Sequence, residues 1–131
     1  MEKNTASEFD ELSLGDLLNG IILFITDQKF SEQQLYKFFY SLSREDTSLA
    51  NRLRFKGIPG NLQSEPLRRI LSFREMSKLL ELPMPNPVDQ VYRPRTSQIG
   101  SLKEDMNDTK VLPKFEPLFK KIAGKFLASL N

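Results

Sequence analysis

The residue types that most often carry enzyme chemistry are missing from this 131-residue chain. It contains no histidine and no cysteine, so Ser-His-Asp and Cys-His nucleophile systems, histidine and thiolate zinc sites and disulfides are all excluded. Gly57–Gly60 is typical of a turn and lacks the Lys-Ser/Thr pair of a nucleotide-binding loop. The sequence therefore predicts a protein that is not an enzyme and that needs no cofactor, metal or small-molecule ligand.

Carboxylates are the remaining side chains that could carry acid–base or metal chemistry. Their densest group is Glu104, Asp105 and Asp108, of which the last two lie about one helical turn apart. Acidic side chains are mostly exposed, and the spacing is not that of an EF-hand loop. We interpret this group as a solvated face, and we assign no catalytic, cofactor-binding or metal-binding residue.

Basic side chains give a stronger pattern. Residues 1–51 carry nine acids and four bases, whereas residues 52–131 carry eight acids and fifteen bases, so the net charge of +2 combines two halves of opposite sign. Arginine suits phosphate oxygens and guanine edges. The residues predicted to bind nucleic acid or another acidic partner are Arg52, Arg54, Lys56, Arg68, Arg69, Arg93 and Arg95.

Two interpretations of these seven bases stay open. In the first, they form one exposed face, which a DNA-binding protein requires. In the second, they form a charged solvent face and pair with acids of the N-terminal half. The modest net charge of +2 favours the second interpretation over the first.

The segment 82–111 predicts a protein partner. It begins with prolines at positions 83, 85 and 87, which exclude a regular helix there, and it is longer than a compact domain usually leaves without secondary structure. Such a segment either becomes ordered on another surface or packs onto its own domain. Met84 and Tyr92 are the predicted anchors, because both residue types are enriched at interfaces.

Hydrophobic periodicity predicts the elements that position these residues. Apolar residues at helical spacing follow Ser13 and again Ser31, and each serine is a predicted N-cap. Gln34 completes a capping box with Ser31. Two further helices are predicted, one beginning at Ser64 and one opened by Pro113.

The segment after Ser64 is predicted to be a single helix, and the alternative is two short helices with Ser72 and Glu75 as a second capping box. The apolar residues form two stripes that are slightly rotated against each other. The first stripe consists of Leu67, Ile70 and Leu71, and the second consists of Phe73, Met76, Leu79 and Leu80.

Strand signals are fewer. Polar and apolar residues alternate in Arg52–Lys56, which predicts a short strand whose three basic side chains point the same way. Val91–Arg93 is the other strand-like fragment. The predicted order of elements resembles a winged-helix arrangement with residues 88–97 as the wing, and this resemblance rests on element order alone.

These patterns predict a mainly α fold, a small helical domain of four to five helices that is winged-helix-like if a minimal β-hairpin forms. Residues 1–11 are predicted to be a flexible acidic tail, and residues 12–131 a single domain with an extended Pro-rich and polar segment at 82–111. The most apolar stretch, Leu17–Ile25, is nine residues long, whereas a membrane span needs about 20. We therefore predict a cytoplasmic protein with no membrane partner.

The predicted function is a non-enzymatic subunit or adaptor that binds another protein within a larger assembly, an assembly that could also contain nucleic acid. The alternative is a winged-helix-like DNA-binding regulator of the repressor or antitoxin type. The two predictions require different surfaces. The first requires an exposed apolar patch or an arm without contacts to its own domain, and the second requires one basic face. The oligomeric state stays open.

Overall fold

A computed structural model describes residues 8–25, 28–58, 60–83 and 89–130. In these ranges the chain is mainly helical, which confirms the predicted fold class. The helices are α1 (Leu14–Ile25), α2 (Glu32–Ser43), α3 (Thr47–Leu53), α4 (Glu65–Met76), α5 (Thr96–Asp108) and α6 (Val111–Ser129). The strands are β1 (Phe30–Ser31), β2 (Lys56–Ile58), β3 (Asn61–Gln63), β4 (Leu80–Glu81) and β5 (Val91–Pro94).

The strands form two small antiparallel sheets. In the first sheet β5 lies between β1 and β4, with Phe30 opposite Tyr92 and Leu80 opposite Pro94. In the second sheet β2 and β3 form a hairpin. Along the chain, α3 and the β2–β3 hairpin lie between α2 and α4. In the segment 88–97, predicted to be a wing, residues 91–94 form β5, the central strand of its sheet, and α5 begins at Thr96; residue 88 lies outside the described residues.

The core is centred on the packing of α1 against α6. Leu18, Ile21 and Ile22 of α1 are fully buried, as are Phe119 and Phe126 of α6. The two helices come so close that a Cβ atom added to Gly20 would lie 2.2 Å from the ring of Phe119. Gly20 is therefore required by its neighbour on α6 rather than by its backbone conformation. No helix of the described ranges is long and apolar enough to cross a membrane.

The predicted helix starts at Ser13 and Ser31 are confirmed by hydrogen bonds. The Ser31 hydroxyl accepts from the Gln34 backbone N–H at 3.1 Å, and the Gln34 side chain accepts from the Ser31 N–H at 2.7 Å, which is a complete capping box. The Ser13 hydroxyl accepts from the Asp16 N–H at 3.0 Å. These local bonds satisfy N–H groups that a helix leaves unpaired at its start, so sequence spacing alone was sufficient to find them.

The predicted strand over Arg52–Lys56 was wrong for all of its residues except Lys56, which begins β2. Asp46 caps α3 by accepting from the Leu49 N–H at 3.0 Å, and Leu49 and Leu53 are both fully buried at helical i, i+4 spacing. The helix therefore continues through Arg52 and Leu53 and ends at Arg54, which adopts the left-handed conformation with φ 50°. The bases at 52, 54 and 56 consequently do not share one strand face.

The segment 82–111 is not extended throughout, because it contains β5 and all of α5. Leu102 and Met106 lie four residues apart on the inner face of α5, and both are buried. The last helix begins at Val111, two residues before the predicted Pro113. Residues 8–11 of the predicted flexible tail include a turn in which the Leu12 N–H donates to the Phe9 carbonyl at 3.1 Å, and Phe9 is buried.

Replacing Gly20 with alanine tests the close packing of α1 and α6. Alanine normally stabilises a helix over glycine by about 1 kcal/mol, but here the added methyl group must displace the Phe119 ring. We expect Gly20→Ala to lower the free energy of unfolding by about 1–3 kcal/mol, measured by urea denaturation. Gly124→Ala on α6 is the control, because no atom from elsewhere in the described residues lies within 4 Å of its added Cβ; it should leave stability unchanged or raise it. A higher free energy of unfolding in Gly20→Ala than in the wild type would contradict the close packing of α1 against α6.

Candidate binding surface

The β2–β3 hairpin is attached to α2 by one side chain. The amide group of Gln33 donates to the Leu62 carbonyl at 2.8 Å and accepts from the Leu62 N–H at 2.8 Å. Gln33 thus pairs with Leu62 as a neighbouring strand would, and the Leu62 side chain is fully buried beneath it. Gly57 lies opposite Leu62 with φ 89°, and a Cβ atom there would lie 2.4 Å from the Asn61 carbonyl oxygen. The hairpin is therefore held in one position on the domain.

Ser64 joins the end of α3 to the start of α4. Its buried hydroxyl donates to the Leu53 carbonyl at 2.6 Å and lies 3.4 Å from the Leu67 N–H, from which it accepts as the N-cap of α4. One side chain thus joins the end of α3 to the start of α4, on either side of the β2–β3 hairpin. As a result, the end of α3, the hairpin and the start of α4 face one another across a cleft.

This cleft has a volume of about 510 Å³ and is rich in cations. Lys56 and Gln63 lie directly opposite each other on the hairpin, so both side chains are on its outer face, whereas Leu62 is on the inner face. We call this site the cationic cleft. Its lining residues are Arg54, Lys56, Gln63, Glu65, Pro66 and Arg69.

Four of the seven predicted basic residues lie in or beside the cationic cleft. Arg54, Lys56 and Arg69 line it, and Arg68 is exposed next to Arg69 on α4. Glu65 forms ion pairs with Arg68 at 2.5 Å and with Arg69 at 3.2 Å. These i, i+3 and i, i+4 pairs are exposed and add little to stability, so their main effect is to lower the pKa of Glu65 through the hydrogen bond and charge of Arg68.

The other three predicted bases are engaged within the fold. Arg52 donates from its guanidinium group to the carbonyls of Leu12 at 2.5 Å and of Phe9 at 2.8 Å. It therefore fastens the N-terminal turn to α3.

Arg93 and Arg95 on and after β5 form ion pairs with Glu81 of β4 at 2.5 Å and 3.4 Å. This pairing follows from the antiparallel register that places Glu81 opposite Arg93. The acids that pair with the predicted bases, Glu65 and Glu81, belong to the C-terminal half of the sequence. The charge of Glu32, in the N-terminal half, also acts on Arg68.

An exposed apolar pair on α4 was missed by the sequence analysis. Phe73 and Met76, which the periodicity placed in one stripe with Leu79 and Leu80, are 64% and 71% exposed, whereas Leu79 and Leu80 are buried. The helix ends at Met76, so the chain turns before the stripe can continue. Ile58 at the hairpin end is the third exposed large apolar residue among the described ones, at 70%.

A groove runs beside Phe73, between α4, α5 and α1. It has a volume of about 370 Å³ and includes the side chains of Phe73, Arg74, Leu102 and Asp105. The Arg74 guanidinium donates to the Asn19 side chain at 2.7 Å, and its partial burial lowers its pKa. The Arg74 side chain in the groove is thus fixed by a hydrogen bond between α4 and α1.

The two predicted protein-binding anchors have different outcomes. Met84 lies outside the described residues. Tyr92 is only 6% exposed and stacks on Phe30 with ring centroids 5.9 Å apart, and burial raises its pKa to about 12. Tyr92 is therefore a core residue of the central strand, because its position on β5 points it at the helices, and it is not accessible to a partner.

The carboxylates of α5 were interpreted from the sequence as a solvated face. Glu104, Asp105 and Asp108 are all exposed, as expected for a solvated face. Across the described ranges, no group of three potential metal ligands comes together. A search of protein-family models, one of curated proteins and one of solved structures found no match for this chain.

Removing the Arg52 guanidinium should destabilise the fold. Arg52→Met keeps much of the side-chain volume but leaves the Phe9 and Leu12 carbonyls without their donor, at a cost of about 1–3 kcal/mol. Arg54→Met is the matched control, since Arg54 is exposed, and it should change stability by less than about 0.5 kcal/mol. Urea denaturation measures both. An equal loss of unfolding free energy in Arg52→Met and Arg54→Met would contradict a structural role confined to Arg52.

Glu32 gives the fold a pH dependence. Burial, together with repulsion from Asp89, raises the pKa of Glu32 above its usual value of 4.5. The folded state then binds more protons than the unfolded state, so the stability contribution is present below pH 4.5 and is lost as the pH rises through the higher folded pKa. We expect the unfolding free energies of wild type and Glu32→Gln to separate as the pH rises from 4 to 7, with Glu32→Gln gaining. Parallel curves would contradict this assignment.

Proposed function

We propose that this chain is a non-enzymatic subunit that binds another protein through the outward face of α4. The observation that carries the proposal is the exposure of Phe73 and Met76, at 64% and 71%, on one face of a single helix. Adjacent large apolar side chains left in water mark an interaction surface more often than isolated ones do.

The outward face of α4 is fixed by the core on its other side. Leu67 and Leu71 are fully buried, which orients the helix. Arg69, Phe73 and Met76 follow at i, i+4 and i+7, so they form one stripe along the exposed side. A stripe of this kind on a rigid helix presents its side chains to a partner without any rearrangement.

The charge around the stripe indicates the chemistry of the partner. Residues 65–78 carry four bases and two acids, and phenylalanine, methionine and arginine are all enriched at protein interfaces. The complementary surface therefore has apolar side chains flanked by carboxylates. The groove beside Phe73 offers a place for one apolar side chain of such a partner. An acidic amphipathic helix has these properties.

A repressor-like protein that reads DNA with α4 is the weaker proposal. Direct readout uses polar and charged side chains that hydrogen-bond to base edges. On α4 the positions after Arg69 on the outward face are occupied by Phe73 and Met76. The apolar stripe fits a protein surface better than a row of bases.

Replacing both apolar residues of the stripe tests the proposed function. Phe73→Ser/Met76→Ser should reduce co-purification of a stoichiometric protein partner by about tenfold or more, as expected for central interface residues. The partner is identified by co-purification with the tagged wild-type chain from the cells that produce it. Ile58→Ser, at the third exposed apolar position, is the control and should retain that partner.

The double variant should fold as the wild type does, because its two side chains contribute little buried area. Unfolding midpoints of the double variant and the wild type, measured in parallel, show whether a loss of binding comes from the changed surface or from unfolding. Retention of the partner by Phe73→Ser/Met76→Ser would contradict the proposal. An equal loss in Ile58→Ser would place the binding surface elsewhere.

A further inference from the structure

We infer that the cationic cleft binds the phosphodiester backbone of a nucleic acid. The site is separate from the apolar stripe of α4, and it uses three of the seven predicted basic residues together with a polar amide. Its position between the end of α3, the hairpin and the start of α4 means that three elements supply its donors.

The charge of the cationic cleft is not neutralised from within. Arg54 and Lys56 form no ion pair with any residue that the structure describes. Glu65 is the one acid among the described lining residues, and one of its oxygens pairs with Arg68 and the other with Arg69. An anion that enters the cleft therefore meets two unpaired cations.

The donors of the cleft are held in place by backbone geometry. Arg54 ends α3 in the left-handed conformation, with its N–H bonded to the Ala50 carbonyl at 3.0 Å. Lys56 and Gln63 are cross-strand neighbours on the outer face of a hairpin that Gln33 attaches to α2. The start of the 12-residue α4 also lies at the cleft, and its dipole favours negative charge.

The lining residues suit a phosphate backbone better than a base. Among the described lining residues, Pro66 is the one apolar residue and none is aromatic, so this part of the cleft offers no surface on which a base would stack. Arg, Lys and Gln are typical phosphate contacts, which position a nucleic acid without reading its sequence. A nucleic-acid strand carries one charge per about 3.4 Å of axis, and three cations from three elements line the cleft that would face it.

The experiment is a salt titration of binding by fluorescence anisotropy. The probes are a short mixed-sequence DNA duplex and a single-stranded RNA, which distinguish the two sources of the same backbone chemistry. The test variant is Arg54→Gln/Lys56→Gln/Arg69→Gln. The matched control is Lys103→Gln/Lys121→Gln/Lys125→Gln, which removes the same charge from exposed positions on α5 and α6.

Wild type should bind at least one probe with an affinity that falls steeply with salt. Removing three phosphate contacts should reduce the magnitude of the salt slope for duplex DNA by about 2.7, since each contact contributes about 0.9, and should weaken binding by at least about tenfold at about 0.1 M salt. The control triple variant and Phe73→Ser/Met76→Ser should keep the wild-type slope. If Phe73→Ser/Met76→Ser keeps the wild-type salt slope, the cationic cleft is a different site from the protein-binding stripe of α4.

Three results would overturn the inference: no binding of either probe, a wild-type slope in the test variant, or an equal reduction in the control. Far-ultraviolet circular dichroism and the unfolding midpoint check that the test variant is folded. If it is not, Lys56→Gln alone replaces it, because Lys56 is exposed on a strand, and the expected reduction in slope is then about 0.9.

Discussion

The close approach of α1 and α6 at Gly20 is the constraint on which the rest of the structure depends. With Phe119 seated against the backbone of α1, α6 brings Phe126 onto Phe30 of β1, at 5.6 Å between ring centroids. Phe30 in turn stacks on Tyr92, which places β5 and, next to it, β4. Because β4 follows α4 after three residues, this packing also sets where α4 lies. The outward face of α4 is thus a consequence of contacts on the opposite side of the domain.

A second set of interactions, all polar, places the cationic cleft. Gln33 holds the hairpin, Ser64 joins α3 to α4, and Arg52 ties the N-terminal turn to α3. Each of these groups is partly or fully buried, so the loss of a partner costs more than the bond contributes. The basic residues of the chain therefore have two roles. Arg52 stabilises the fold, as do Arg93 and Arg95 through their ion pairs with Glu81. Arg54 and Lys56, by contrast, are exposed to solvent.

Local patterns in the sequence predicted the local structure well. Helix starts at Ser13 and Ser31 were found because capping needs only the residues within one turn. α3 was missed because Leu49 and Leu53 give a single buried pair, and the alternation after Arg52 imitates a strand. α5 was missed for the same reason, since Leu102 and Met106 are its two buried residues.

The candidate site could be predicted only in part, because its formation depends on contacts between distant segments. The charge pattern identified Arg54, Lys56, Arg68 and Arg69, but the pairing of Arg93 with Glu81 arises from a strand register that spacing does not reveal. The spacing of the apolar residues also placed Phe73 and Met76 in one stripe. It could not show that no other element covers them, since that depends on where the chain turns after α4.

The most direct test of the central claim, that the outward face of α4 meets another protein, is site-specific photo-crosslinking in the cells that produce this chain. A photoreactive phenylalanine analogue is placed at position 73 and, separately, at position 125, which is exposed on α6. We predict a covalent adduct of one defined mass from position 73 and none of that mass from position 125. The absence of an adduct from position 73, or the same adducts from both positions, would contradict the account.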